Sequence, residues 1–217
     1  MTPFFVVTTC NEDYNWIKEY DNYIVYNKGE PIEDSHVLNV PNISGNIKDI
    51  PEFIINNYNN LPDFTLFTQA QPWDHCNLET FNKLINNTSF TAFESYGNIP
   101  ANNWENRTDD GKFLEINNNW YFDFIKNQCC KYKSFDEFMN HYFCNYEHVD
   151  WVRFAPGAIY LVPKENIKYY PLSFWQELSN EMQTKFSTES FIIERALYYI
   201  LSNTYDLKNK RDIINGK

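Results

Sequence analysis

The stretch Phe64 to Ala70, FTLFTQA, constrains the fold more than any other, because it is apolar without polar alternation. A strand of that composition needs cover on both faces, which helices above and below a parallel sheet provide. Three shorter β-rich runs precede it: PFFVVTTC, NYIVYNKG closed by Gly29, and HVLNVPN. Helical signals fall between them. Asn11 stands where it can cap a helix whose first turn holds Glu12 and Asp13, side chains that the helix dipole favours there. Asp49 before Pro51 suits a first helical turn, and EFIINNY carries that helix to the break at Asn59, Asn60, Leu61 and Pro62. This alternation predicts an α/β fold with a mostly parallel sheet flanked by helices.

From Asn87 to Asn119 the pattern dissolves into polar, Asn-rich sequence, which predicts a loop. Regularity returns at Ser134, where Ser134 and Glu137 form a capping-box pattern ahead of FMNHYF, and at Ser173 with Gln176 ahead of ELSNEM. WVRFAPGAIYLVP reads as a strand pair or a strand bent at Pro156-Gly157, and ESFIIERALYYIL as a last helix before a basic tail. No internal repeat or Pro/Gly/Ser-rich linker divides the chain, and 217 residues fit one large domain over 1–217.

A formal net charge of −11 argues against nucleic acid and anionic membranes as partners, since affinity for a phosphate backbone comes from clustered Lys and Arg. The first residues have no basic region ahead of an apolar run, and no stretch reaches the ~18 apolar residues of a membrane span. A cytoplasmic location is therefore expected. There Cys10, Cys76, Cys129, Cys130 and Cys144 read as reduced thiols, the adjacent pair as packing. With 30 Asn against 6 Gly, the composition suggests an AT-rich coding sequence, as in a large virus or a low-GC bacterium.

Ligands of open α/β sheets bind beyond the carboxyl ends of the strands. Three segments should end there: Thr8 to Asp13, Asn27 to Gly29, and Gln69 to His75. Asp74 and His75 offer an oxygen and a nitrogen ligand for a divalent cation, or Asp74 caps the next helix and His75 is an ordinary histidine. Asn11 and Asp13 can contact a base or ribose and Lys28 a phosphate, with Gly29 admitting close backbone approach. Helix capping and a turn explain the same residues. His148 and Asp150 are distant candidates for a further metal ligand or base, or members of a solvated loop. Trp73, Trp104, Trp120 and Trp151 suit sugar stacking or the core.

VVTTCNEDYNWI, YIVYNKG, IINNYNNLPDFTLFTQAQPWDH and FAPGAIYLVPKENIKYYP together resemble a family of uncharacterised bacterial, fungal and viral proteins. The blocks span Phe5 to about Pro171. Where that family carries Asn-x-Gly-Arg-Glu before its helix, this chain reads Asn42-Ile43-Ser44-Gly45-Asn46. The block order is also similar to that of nucleotide-sugar glycosyltransferases of the GT-A type. That resemblance implies a GT-A-like, Rossmann-like domain and a nucleotide-sugar donor near Thr8, Asn11, Asp13, Asn27, Lys28, Gly29 and Gln69. It further implies Mn²⁺ or Mg²⁺ held by Asp74 and His75, with His148 the candidate for a further ligand, and a glycan or other hydroxyl acceptor. Glu194 takes the place of the acidic residue that follows the Gly-containing strand, and Leu197, Tyr198 and Leu201 on its helical face would raise its pKa, as suits a general base. Pairing of Glu194 with a Lys or Arg explains the same residue, and Asp150 is the alternative base. Two other functions stay open: a non-catalytic carbohydrate- or nucleotide-binding module, and a metal-assisted sugar-phosphate hydrolase using Asp74, His75 and His148.

Overall fold

The computed structural model describes residues 2–94, 105–124, 130–185 and 187–208. Strands β1 (Phe4–Thr9), β2 (Tyr23–Asn27), β3 (Val37–Asn39) and β4 (Phe64–Gln69) form where the apolar runs predict them. They enter a six-stranded sheet of order β3-β2-β1-β4-β9-β5, with β5 at Thr91–Ala92 and β9 at Tyr160–Pro163. The first four strands are mutually parallel, and β9 runs antiparallel between β4 and β5. The fold is thus mixed α/β around a mostly parallel sheet.

Cover on both faces explains the unbroken apolar character of β1 and β4. Val6, Phe67 and Tyr160 face one core with Ile50, Phe53, Trp175 and Ile193. Phe5, Val7, Leu66 and Leu161 face the other with Ile17 and Phe81. Successive residues of each strand alternate between two buried layers. The helices on these layers include α1 (Gly45–Asn57), α2 (Leu78–Leu84), α3 (Tyr121–Phe124), α4 (Phe135–Tyr142), α5 (Lys164–Lys168), α6 (Leu172–Glu181) and α7 (Thr188–Leu201).

Several local expectations are corrected. Asn11 caps no α-helix: it sits in a left-handed turn at φ 73°, and only a short 3₁₀ turn, Asn15–Glu19, follows. Helix α1 begins at Gly45, so Pro51 lies inside it and Asp49 is not in its first turn but buried against the sheet. The stretch 87–119 is not all loop. It contains β5 and two strands, β6 (Glu105–Arg107) and β7 (Phe113–Ile116), which pair with β8 (Trp151–Arg153) as a separate antiparallel sheet; 95–104 lie outside the described residues. Ser134 does cap α4, accepting from the Glu137 N–H at 3.0 Å, whereas α6 starts after Pro171 with no side-chain cap, so the Ser173/Gln176 box does not form. WVRFAPGAIYLVP resolves into β8 and β9, in different sheets, with Pro156–Ala158 turning between them. Trp104, Cys129 and the tail from 209 lie outside the described residues.

Candidate functional site

The chain leaves β1 toward β2 on one side and reaches β4 on the other, so the sheet reverses its strand order at the β1/β4 boundary. A crevice at the carboxyl ends of the strands follows from such a reversal. A cleft of about 190 Å³ lies there, lined by Thr8, Thr9, Cys10 and Glu12 after β1, Lys28 after β2, Asn42, Gly45 and Asn46 at the head of α1, and Gln69, Ala70, Gln71 and Asp74 after β4. A second cleft of about 220 Å³ shares Asn42, Gly45 and Asn46 with the first and reaches Lys185, Ser190 and Glu194.

Lys28 is buried rather than presented to solvent. Its ammonium donates to the Ile43 carbonyl (3.0 Å) and the Gly45 carbonyl (2.6 Å) and pairs with Asp49 Oδ1 (2.9 Å), partners for all three of its N–H groups. Asp49 Oδ2 also accepts from the Thr8 hydroxyl at 2.6 Å. Burial pushes the Asp49 carboxyl up to about 6 even though Lys28 and Thr8 favour its ionised form. Lys28 and Thr8 thereby pin the loop that opens α1.

Asn11 and Gly29 form one turn. The Asn11 carboxamide accepts from the Glu30 N–H at 2.8 Å, and a Cβ on Gly29 would stand 2.0 Å from Asn11 Oδ1. Asn27 accepts from the Gly29 N–H and donates to Glu30 O and Asn39 Oδ1. Asp13 accepts from the Asn15 N–H, and Gln69 donates to Gln71 O at 3.0 Å. Of this group only Thr8, Lys28 and Gln69 line the cleft.

At the end of β4, Pro72–Asp74 forms a single 3₁₀ turn that leaves Asp74 exposed in the cleft. Asp74 does not cap α2; Asn77 does, accepting from the Thr80 N–H at 2.8 Å. His75 packs its ring on Gly157, where an added Cβ would lie 2.4 Å from His75 Cδ2, and burial lowers the His75 pKa. Gly157, at φ 71°, joins three other elements: its carbonyl accepts from Asn46 Nδ2 at 2.7 Å and its N–H donates to Glu194 Oε1 at 3.3 Å. Because β9 runs antiparallel to β4, the turn before it lands at the cleft edge. Burial raises the Glu194 pKa, opposed by Arg195 3.3 Å away. The Glu194 side chain is 20% exposed, so it keeps access to the second cleft.

His148 and Asp150 lie apart from this edge. His148 Nδ1 meets Asp136 Oδ2 at 2.6 Å and its Nε2 lies 3.4 Å from Asp150, while Asp136 also holds Asn117 and Tyr146. The carboxylates raise the His148 pKa. Asp150 is 89% exposed and lines neither cleft. Trp73 packs on Trp16 and Phe81, and Trp120 on Tyr121 and Phe191. Sequence reasoning placed Glu12 at this edge, within Thr8 to Asp13, but only as a helix first-turn residue, and missed Asn42 and Asn46; Asn42 follows a strand end and precedes a helix, a position that could have flagged it.

Among the described residues, no group of three or more His, Cys, Asp and Glu side chains has metal-binding geometry. The cleft does present the carboxylates of Asp74 and Glu12, and Mg²⁺ is commonly held by one or two carboxylates together with substrate phosphates. Glu12 Oε2 already accepts from the Thr9 hydroxyl at 3.0 Å and from the Cys10 N–H, so Asp74 and the second Glu12 oxygen are the donors left for a cation brought with a diphosphate. Comparison of the chain with family models, with curated proteins and with solved structures returns no match.

Proposed function

We propose that the protein is a glycosyltransferase of GT-A-like organisation, moving a sugar from a nucleotide-sugar donor to a glycan or other hydroxyl acceptor. The observation that carries this reading is the coupling of two clefts at one sheet edge. An acid-bearing crevice at the β1/β4 reversal shares Asn42, Gly45 and Asn46 with a cleft whose carboxylate, Glu194, has a raised pKa. Charge builds on the leaving diphosphate as the glycosidic bond breaks, and a Mn²⁺ or Mg²⁺ held by Asp74 and Glu12 would supply its neutralisation. Gly45 and Asn46, the first residues of α1, line the same crevice. Glu194 takes the proton of the acceptor hydroxyl at Oε2 or Oε1, the Gly157 N–H steadying the carboxylate as it does so. Lys28 and Thr8 hold the α1 loop in register through Asp49, a positioning role in place of direct phosphate contact. Reading the site as a hydrolase built on Asp74, His75 and His148 together draws no support from the geometry, since His148 is engaged by Asp136 and Asp150.

The test is thermal stability across a panel of nucleoside diphosphates and nucleotide sugars, with and without Mn²⁺. A ligand at about 100 times its dissociation constant adds roughly 2.7 kcal/mol. The expected result is a metal-dependent rise selective for one nucleotide, with slow donor hydrolysis. Metal-independent binding without turnover would favour the binding-module reading, and no response to any nucleotide would overturn both.

A further inference from the structure

Helix α7 carries two adjacent charges, Glu194 and Arg195, that serve different surroundings. Consecutive residues of a helix point about 100° apart, so Glu194 faces the second cleft while Arg195 turns into the seam between α7 and the small sheet. The Arg195 side chain is 5% exposed, its guanidinium carbon 5.1 Å from the ring centroid of Tyr121 and 4.9 Å from that of Phe154. A guanidinium keeps its proton even there, so carboxylates must answer its charge.

Two carboxylates are within reach, and they share the cation unequally. Glu115 on β7 takes a two-point fork, accepting from Arg195 Nε at 2.6 Å and from Nη2 at 3.0 Å. Glu194 Oε2 receives a single long contact, from Nη1 at 3.3 Å. The same Nη1 donates to the Phe191 carbonyl at 3.0 Å, which holds the guanidinium back along its own helix. Of the two arrangements the fork is the stronger, because it makes two charge-assisted bonds in one plane. The cation beside the cleft carboxylate is thus committed mainly to another carboxylate, one that lines neither cleft.

We propose that Glu115 is a positioning residue for the base: by gripping the Arg195 guanidinium it keeps that cation from closing on Glu194 and leaves the Glu194 carboxylate able to take a proton in the second cleft. The inference rests on the reading of Glu194 as the base. The electrostatics run the same way: burial raises the Glu194 pKa, Arg195 pulls it down, and Glu115 pushes it back up. The other ionisable groups around Glu194 are Tyr160 of β9, His75 across Gly157, and Lys185 on the wall of the second cleft. With Glu115 neutral, the charge of Arg195 falls to Glu194 alone. An opposite charge at that range favours the ionised form, and a carboxylate so stabilised is a weaker base.

The measurement is the pH titration of the Glu194 carboxyl carbon by NMR, in the full chain labelled with δ-¹³C glutamate, the signal assigned by its loss in Glu194→Gln. Glu115→Gln keeps the size and one acceptor for Arg195. The Glu194 midpoint should then fall by about one pH unit or more, the effect of an opposite charge within a few ångströms, and the acid limb of the pH–rate profile should move down with it. Arg195→Met with Glu115→Met removes the cation together with its other carboxylate, so in that double variant the midpoint should rise instead. A purely structural role for Glu115 would lower the melting temperature and leave the midpoint in place. An unmoved or raised midpoint in folded Glu115→Gln overturns the proposal; if that variant does not fold, a midpoint that fails to rise in the double variant overturns it. The titration needs no substrate, so the two readings fail separately. Sugar transfer with an unmoved midpoint sinks the role of Glu115 alone, whereas the expected movement in a protein that transfers no sugar upholds the grip on Arg195 and sinks the glycosyltransferase reading.

Discussion

Single side chains at the cleft carry separable expectations. Glu194→Gln keeps size and hydrogen bonding but cannot accept a proton, so turnover should fall roughly 10²–10⁴-fold with donor affinity retained. Asp150→Asn, far from both clefts by its contacts, should leave turnover near normal. Because Glu194 titrates above the usual carboxylate range, activity should rise with pH through that raised value; a pH–rate profile of wild type checks it. Asp49 gives a stability signature instead. Its folded pKa of about 6 exceeds the ordinary 3.8, so the native state holds this proton to higher pH than the unfolded chain. The stabilisation it contributes is complete below about pH 3.8 and is lost as pH rises through about 6, measurable as a falling denaturation midpoint relative to Asp49-free variants. Asp49→Asn, which mimics the protonated carboxyl, should abolish that fall. The carboxylate of Asp74 and the turn at Lys28-Gly29 were readable as cleft-edge residues because strand ends can be read from pattern. That Lys28 turns inward was not, since its partner Asp49 lies 21 positions away and only tertiary packing brings them together.

Among the elements, strands were more legible than helix starts. The apolar runs of β1, β2 and β4 report burial on both faces, a property each strand carries in its own residues. The start of α1 depends instead on distant contacts: Ser44, in a left-handed conformation, gives its N–H and hydroxyl to the Thr184 carbonyl. Pattern reading placed the helix start near Pro51 because no local signal marks Gly45. The small antiparallel sheet escaped notice because β6 and β7 are only three and four residues long and set within polar sequence, although β8 falls in the run WVRFAPGAIYLVP that reads as strand. For α2 the structure names the cap, and the expectation is specific. Asn77→Ala should destabilise by about 1 kcal/mol, while Asp74→Asn should leave the urea midpoint of the metal-free protein nearly unchanged.

Across the whole molecule, two arginine–carboxylate forks tie the small sheet to the rest. Arg153 on β8 binds Glu94 after β5 through 2.8 and 2.6 Å contacts, and Arg195 on α7 binds Glu115 on β7 through 2.6 and 3.0 Å contacts. Arg195 is buried and flanked by the rings of Trp120, Tyr121 and Phe154. Removing one partner leaves a buried charge, so Arg195→Met should cost about 3–5 kcal/mol, whereas Arg195→Met with Glu115→Met should recover most of it. A chemical-denaturation double-mutant cycle measures the difference.

The reversed strand β9 also sets an order of events on the ribosome. The first 69 residues contain all four parallel strands, yet the partner on the far side of β4 is synthesised only at Tyr160. Until then β4 offers an unpaired edge with the apolar sequence FTLF, the kind of segment that recruits other chains. Nascent chains halted before Tyr160 should therefore aggregate or hold a chaperone, and those that include Pro163 should release it.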